Sequence, residues 1–538
     1  MTTSEVRREQ VSQPSAAPVG IVRRVVGKLQ RVGAAISAEV VQSTTSFLLQ
    51  IIAVRELSAA GLGVFAFLYS CVILVGAITT GLVGDSLTVL DRHLPKVRGG
   101  LQVVALGVAT IGGVATCVVS GAIGLIAWDL APLMGLATTV FVLEELIRRT
   151  LMASLKFWFV VAVDATCLVV TALWLGIFKV VDGQLVMRDL ISSLVVAQLV
   201  GGVVAIALLP RAERWWAPMR HSEWRSVIRY GGWRAAQQGV RPAMMAAVRT
   251  IVIVAVGTTL FGELEAARVY AAPAMLIVNG VGSFLFASYA SRRSSKLKNL
   301  IPVADRGTVM LVGLSLGLGV VSVALLPIFG SVITNGKFEL DPIAVFGWCA
   351  YAAASAVLMP YGSLAAVRGR HAAMMGLRVV EAIVSLTSLF LVLRVARVDV
   401  AFAPYAMALG SLAMGLIARQ LILVPTAREE DGSTLEEVRS SGDRATPDAV
   451  GRSTEVDRPA PSVDAVQGAG WGSAPASAVG WGPHGAVSDG PAGHDTDHDR
   501  APGPPPGPPH GPIAGSRPVP PPPERWDPPP GSADDHLS

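Results

Sequence analysis

Apolar runs follow one another along this chain from residue 33 to residue 424, separated by short polar and mostly basic stretches. A helix needs about 20 apolar residues to cross a ~30 Å hydrocarbon core. Twelve runs of that kind can be read, from 33–54 to 401–424, and those at 131–152, 157–179 and 235–257 are interrupted by charges. The pattern predicts an all-α polytopic membrane protein of about twelve transmembrane helices.

The charges between the runs alternate. Arg92, Lys96 and Arg98, then Arg148, Arg149 and Lys156, then Arg211 to Arg229, then Arg292 to Arg306, then Arg368 and Arg370 fall in every second loop. The other loops hold only scattered cations such as Arg55, Lys179, Lys337, Arg394 and Arg397. Cytoplasmic loops are enriched in Lys and Arg. The phase therefore predicts both termini in the cytoplasm of a bacterial plasma-membrane protein. The basic stretch 210–230 divides the runs six and six. Gly61 with Leu-Gly-Val-Phe-Ala echoes Gly262 with Glu-Leu-Glu-Ala-Ala, each after the first span of its half, as a parallel repeat would place them.

The predicted organisation is a cytoplasmic N-terminal arm (1–30), a first lobe (31–210), a basic cytoplasmic linker (211–230), a second lobe (231–425) and a C-terminal tail (426–538). The tail is rich in Pro, Gly, Ser and Asp, and its acids outnumber its bases about two to one. With so little apolar surface to bury it is expected to be disordered. It reads as a solvated tether, or as a docking segment for a cytoplasmic partner through its proline runs or a phosphorylated Thr446 or Thr454.

Composition sharpens this picture. The chain of 538 residues is 52% hydrophobic, with mean hydropathy +0.53. Its four cysteines, Cys71, Cys117, Cys167 and Cys349, all lie in apolar runs without a CxxC or Cys/His partner, so they read as packing residues. No phosphate-binding glycine loop, catalytic carboxylate pair, triad or metal-ligand spacing occurs on an ordered stretch, and no loop is long enough to house a catalytic domain. An enzyme, a cofactor, a metal site and a nucleic-acid partner are not expected.

Arg234, Arg241 and Arg249 lie in the seventh run, and at ~100° per residue they fall within an arc of about 80°. Guanidinium groups at membrane depth are expensive and persist where they face a watery cavity or an anion. The planar fork of arginine suits phosphate. Arg241 and Arg249, with Arg234 at the inner mouth, are expected to attract a lipid pyrophosphate, or else Glu39 neutralises one of them in a buried ion pair. The first run carries Glu39, Gln42, Ser43, Ser46 and Gln50 within an arc of about 100°. It is expected to line a cavity opposite the seventh run, with Gln42, Ser43, Ser46, Gln50, Gln237 and Gln238 available to sugar hydroxyls. Pro242 should kink the seventh helix beside Arg241. Glu39, Asp85 and Asp164 are candidates for a coupling cation or proton. Glu381 is expected to pair locally with Arg378, and Glu144–Glu145 with Arg148–Arg149 at the inner surface.

The run Gln50-Ile-Ile-Ala-Val-Arg-Glu-Leu-Ser-Ala-Ala-Gly-Leu-Gly-Val-Phe resembles the junction of the first two helices of polysaccharide flippases in the MOP superfamily. Glu144-Glu-Leu-Ile-Arg-Arg with Asp164 is similar to the fourth and fifth helices of actinobacterial proteins of that type, and Arg229-Tyr-Gly-Gly-Trp-Arg-Ala-Ala to the start of their seventh. The likeness covers about 25–425. It implies two six-helix lobes of MATE-like architecture around a cationic cavity, working by alternating access. It also implies flipping of a polyprenyl-pyrophosphate-linked oligosaccharide, surrounded by membrane lipids, for cell-surface polysaccharide biosynthesis. Twelve spans rather than fourteen favour the Wzx-like branch over the MurJ-like one. The rivals are a cation-coupled multidrug or metabolite exporter of the same superfamily, and a non-transporting membrane scaffold that recruits partners through its tail.

Overall fold

The computed structural model describes residues 19–291, 296–368 and 370–431. The N-terminal arm before residue 19 and the Pro-rich tail beyond 431 lie outside the described residues, as do Thr446, Thr454 and Arg292. Among the described residues there are helices joined by turns and short irregular links, and no strand. The helices are α1 Val19–Glu56, α2 Ala59–Thr79, α3 Pro95–Ala122, α4 Ala131–Ala153, α5 Phe157–Asp182 and α6 Met187–Leu208. A single helical stretch, Trp224–Ser291, is broken only at Gly257 and divides there into α7 (224–256) and α8 (258–291). Then come α9 Leu297–Ala324, α10 Pro342–Val367, α11 His371–Phe390 and α12 Ala403–Ile417. Of these, α2, α11 and α12 run on through π-helical turns, Thr80–Gly84, Leu391–Val395 and Ala418–Leu423.

Nine helical segments among the described residues are long and apolar enough to cross a membrane. Twelve spans result once the α7–α8 stretch is divided at Gly257 and the more highly charged α1 and α4 are added. The protein is thus a multi-pass membrane protein. Two boundaries differ from the sequence reading. Helix α1 starts at Val19 rather than after residue 30, and α7 starts at Trp224, inside the stretch read as linker. Charged residues in the first turns of both sit beyond the apolar run, so hydropathy under-reads the helix ends.

Apart from α2, helices α1 to α6 pack mainly on one another, and α7 to α12 do the same. The seam between the halves runs along α2, which lies against both α7 and α8. Glycine permits this approach. A Cβ on Gly63 would collide with the Thr258 carbonyl oxygen, and one on Gly262 with the Ala59 carbonyl oxygen. These glycines belong to the two echoing segments of the sequence. At the other end of α2 a Cβ on Gly231 would strike the Leu82 carbonyl oxygen. Close backbone approach through small residues is how helices gain packing energy where lipid offers no hydrophobic drive. Pro242 and Pro273 both stand inside the long stretch, but the non-helical backbone is at Gly257 (φ 87°, ψ 171°), a region essentially reserved for glycine.

The linker between the halves is strapped down. Glu213, 4% exposed, takes Arg92 Nε on one carboxylate oxygen at 2.7 Å and Arg98 Nη1 on the other at 2.9 Å. Arg98 also stacks over Trp215 at 5.7 Å. The basic loops at this end therefore hold the linker rather than leaving it solvated.

Substituting Gly257 by Ala forces a side chain into the glycine-only region and should cost about 1–3 kcal/mol. Gly262→Ala should cost a similar ~1–3 kcal/mol through overpacking at the seam. At Gly313 a Cβ meets nothing within 4 Å, so Gly313→Ala should leave the unfolding temperature unchanged or raised. Thermal unfolding of detergent-solubilised protein, followed by tryptophan fluorescence, checks the ordering.

Candidate functional site

Two polar clusters are buried in the helices, one in each half. In the first half, Arg148 of α4 is 0% exposed. Its Nε and Nη2 donate to the two carboxylate oxygens of Asp164 on α5 at 2.8 and 3.1 Å. Glu145 lies 3.6 Å and Glu39 3.9 Å from the same guanidinium, and Arg149 donates to Glu145 at 2.6 Å. Glu144, 5% exposed, has a carboxylate oxygen with no hydrogen-bond partner. Four carboxylates (Glu39, Glu144, Glu145, Asp164) thus face two guanidiniums. A cavity of about 30 Å³ opens beside them, lined by Gln42, Ser46, Tyr69, Glu144, Asp164 and Gln198 among others. The amide oxygens of Gln42 and Gln198 are also unpartnered.

The second half has the opposite balance. Arg249 Nε and Arg268 Nε share the two oxygens of Glu265 at 3.0 and 2.5 Å, and Arg268 Nη2 donates across the seam to Gln50 Oε1 at 2.6 Å. A cavity of about 20 Å³ lies among Arg249, Glu265, Arg268, Trp348 and Tyr351. Deeper in, Arg241, Arg378 and Glu381 gather around Tyr351. Ser411 donates to Glu381 at 2.6 Å. Four guanidiniums here face two carboxylates.

The residues singled out in the sequence are thus distributed as follows. Arg234 donates to Asp85 at 2.8 Å and to Gln237 Oε1 at 3.0 Å, with Gln238 beside the same carboxylate. Arg241 lies at the Tyr351 cluster and Arg249 on Glu265. Gln42 and Ser46 line the first cavity, and Ser46 accepts from Tyr69 at 3.2 Å. Ser43 bonds back to the Glu39 carbonyl at 2.7 Å, and Gln50 reaches Arg268. The polar face of α1 therefore serves two cavities rather than one. Three pairings differ from expectation. Glu39 neighbours Arg148, not the α7 arginines. Glu145 pairs with Arg148 and Arg149 as expected, but it and Glu144 are buried rather than at a surface. Arg378 and Glu381 are neighbours without an ion-pair contact within 4 Å, and Ser411 of the neighbouring helix donates to one oxygen of that carboxylate. Sequence reasoning also passed over Glu265 and Arg268. The signal was there, since both are charges inside the apolar run 262–290. The bond of Glu265 to Arg249, 16 residues away, becomes visible only once α7 and α8 double back on one another.

Each cavity has room for about one or two water molecules, so a larger cargo passes only if the halves separate. Among the described residues no group of His, Cys, Asp and Glu is disposed to hold a metal ion.

No protein-family model matches the chain, and no curated protein matches it. Solved structures do. A multidrug resistance MATE family transporter of the MOP superfamily in its inward-facing conformation superposes with TM-score 0.56 at 12% identity, covering 75% of this chain and 99% of the other. An outward-facing conformation of such a transporter superposes at 0.50 with 12% identity, covering 75% and 96%. A MATE transporter in a straight conformation gives 0.50 at 12% identity, covering 76% and 96%. At these identities the likeness is one of fold: the chain has the MATE/MOP transporter fold, in which more than one access state is represented.

Asp164→Asn leaves Arg148 buried beside a neutral partner. It should destabilise the protein by about 3–5 kcal/mol, toward the lower end because Glu145 and Glu39 remain. Arg148→Met with Asp164→Leu removes both charges and should recover part of that loss. Equal unfolding temperatures for the Asn variant and the wild type would remove the pair from the core of the first half.

Proposed function

We propose that this protein is an alternating-access flippase for a polyprenyl-pyrophosphate-linked oligosaccharide. It carries its cargo from the cytoplasmic to the outer leaflet of the bacterial plasma membrane for cell-surface polysaccharide biosynthesis. One observation carries the reading: guanidiniums run along the seam at membrane depth in excess of the local carboxylates. Arg241 and Arg249 of α7, with Arg268 and Arg378 nearby, outnumber Glu265 and Glu381 two to one. Arg234, on Asp85, marks the inner mouth. Such a surplus suits a diphosphate, whose charge is met by planar N–H forks as it crosses. Gln42, Ser43, Ser46, Gln50, Gln237 and Gln238 supply donors and acceptors for sugar hydroxyls once the halves part. The lipid tail stays among the membrane lipids outside the bundle. The acidic tail of the chain stays in the cytoplasm with both termini and is free to recruit a partner there.

Net transport needs two states of unequal affinity for the cargo and a source of free energy. We assign coupling to the first-half cluster. Asp85 is held by Arg234, and Asp164 is gripped by Arg148 while Glu39 stands at its edge. A proton arriving at Asp164 would loosen its contacts to Arg148 and free that guanidinium toward Glu145 and Glu39. The same acidic, acceptor-rich cavity supports a second reading, a cation-coupled exporter of cationic drugs or metabolites.

Native mass spectrometry of gently purified protein separates the two. The flippase reading expects a co-purifying polyprenyl-pyrophosphate saccharide on the wild type, with its retained fraction reduced about tenfold or more, ~1.4 kcal/mol, in Arg241→Ala/Arg249→Ala. Equal retention on both would sink the role of the arginines. No such lipid on either, together with proton-driven efflux of an organic cation that Glu144→Gln abolishes, would install the exporter reading instead.

A further inference from the structure

The connection between the halves, 209–223, has a fixed inner side and an open outer one. On the inner side Glu213 is strapped by Arg92 and Arg98. Gln102 of α3 adds two bonds. Its amide nitrogen donates to the Trp215 carbonyl at 3.3 Å, and its amide oxygen accepts from the Ala217 N–H at 3.1 Å. The Glu223 N–H donates to the Lys96 carbonyl at 3.0 Å. A Cβ on Gly99 would come within 2.9 Å of the Pro218 carbonyl oxygen, so a glycine there admits the contact. The connection therefore lies along the first turns of α3 with little freedom to turn over. Arg214 sets its depth. Its Nε donates to the Leu209 carbonyl at 2.6 Å and its Nη2 to the Ala207 carbonyl. Those carbonyls stand where the membrane-crossing stretch Met187–Leu208 ends, so the connection is held at the membrane boundary.

The outward side is basic and aromatic. Trp216 is 69% exposed, and Met219, Trp224 and Ile228 are exposed as well. Lys96, Arg211, Arg220, Arg225 and Arg229 are exposed, and none of the five makes a salt bridge among the described residues. On the stretches 91–98 and 211–229 the exposed acids are Asp91 and Glu223 alone. The Arg225 guanidinium lies over the Trp224 ring at 5.3 Å. On α7, residues 224, 225, 228 and 229 fall within an arc of about 140°, away from the buried Val227 and Gly231. Loop-charge bias asks only for cations on one side of the membrane. It does not ask for tryptophans beside them, or for a backbone pinned to α3. Rings at the acyl boundary with guanidiniums at the phosphates are what an interfacial surface presents to anionic lipid.

We propose that 211–229 is a docking surface for anionic phospholipid headgroups of the adjoining leaflet. Arg211, Arg220, Arg225 and Arg229 meet the phosphates, and Trp216 and Trp224 seat at the acyl boundary. The competing occupant is the acidic tail of this chain. It matches the charge, but its Pro and Gly offer little apolar bulk to cover the rings. Its first acids, Glu429, Glu430 and Asp431, are also engaged elsewhere, on Arg370, Arg368 and Lys298 of the second half. The surface is independent of which cargo crosses the membrane, because none of its residues belongs to the buried clusters.

The test is the unfolding temperature of the full-length protein in detergent micelles doped with rising mole fractions of phosphatidylglycerol or, in parallel, phosphatidylcholine. Phosphatidylglycerol raises the wild-type value by several degrees over phosphatidylcholine, and high salt erases the difference. Arg211→Ser/Arg220→Ser/Arg225→Ser/Arg229→Ser loses most of the difference. Its value in phosphatidylcholine stays close to that of the wild type, since none of the four holds an ion pair. Trp216→Ala, a single exposed change, reduces the difference and keeps the test decisive if the fourfold variant folds poorly. No difference between the lipids for the wild type, or the same difference in wild type and variants, overturns the surface. A fall in the fourfold variant of equal size in both lipids assigns the face to the acidic tail and overturns it too.

Discussion

Inside an apolar slab a charge is tolerated only where something of opposite sign meets it, and both halves of this protein are arranged around that requirement. Arg148 is enclosed completely, and it survives there because Asp164 takes both arms of its fork while Glu145 and Glu39 stand behind. Arg249 and Arg268 divide one carboxylate between them. Arg234 draws Asp85 from across the seam. These bonds fix which helices can be neighbours. Helix α5 must lie on α4, α8 must fold back on α7, and α2 must run beside α7 at its basic end.

The arrangement also separates charge. Acids gather between α1, α4 and α5, while bases gather among α7, α8, α10 and α11, so the seam lies between regions of opposite surplus. A hydrogen bond from Arg268 to Gln50 connects the second-half cluster to the polar face of α1. Any motion that opens this seam exposes carboxylates on one wall and guanidiniums on the other.

Much of the architecture was legible from sequence because hydropathy and loop charge report the same thing independently. The alternation of Arg92–Arg98, Arg148–Lys156 and Arg211–Arg229 with nearly uncharged loops predicted twelve spans, and the helices of the structure agree. The limits were local and physical. Helix α1 begins at Val19 because a polar stretch can extend a helix beyond the bilayer without changing its hydropathy. The clusters were harder. Periodicity put Arg234, Arg241 and Arg249 on one face, but the groups they meet come from α2, α10 and α8, and only three-dimensional packing brings those together. Arg378 and Glu381 show the limit of spacing: they are neighbours as it suggested, but the hydrogen bond to the carboxylate comes from Ser411 on another helix.

Gly257 is the whole connection between α7 and α8. At the other described connections a loop stands between successive spans and absorbs small rotations of one relative to the next. Here one residue with one unusual pair of dihedral angles does that work, so the two helices behave as arms of a crank with a single pin. A twist of α7 about its axis is handed to α8 with little slack. Arg249 and Arg268, one on each arm and both held by Glu265, would keep their spacing through such a turn while their distance from the α1 wall changed. The geometry thus converts a rotation at one residue into a sideways displacement of a paired charge.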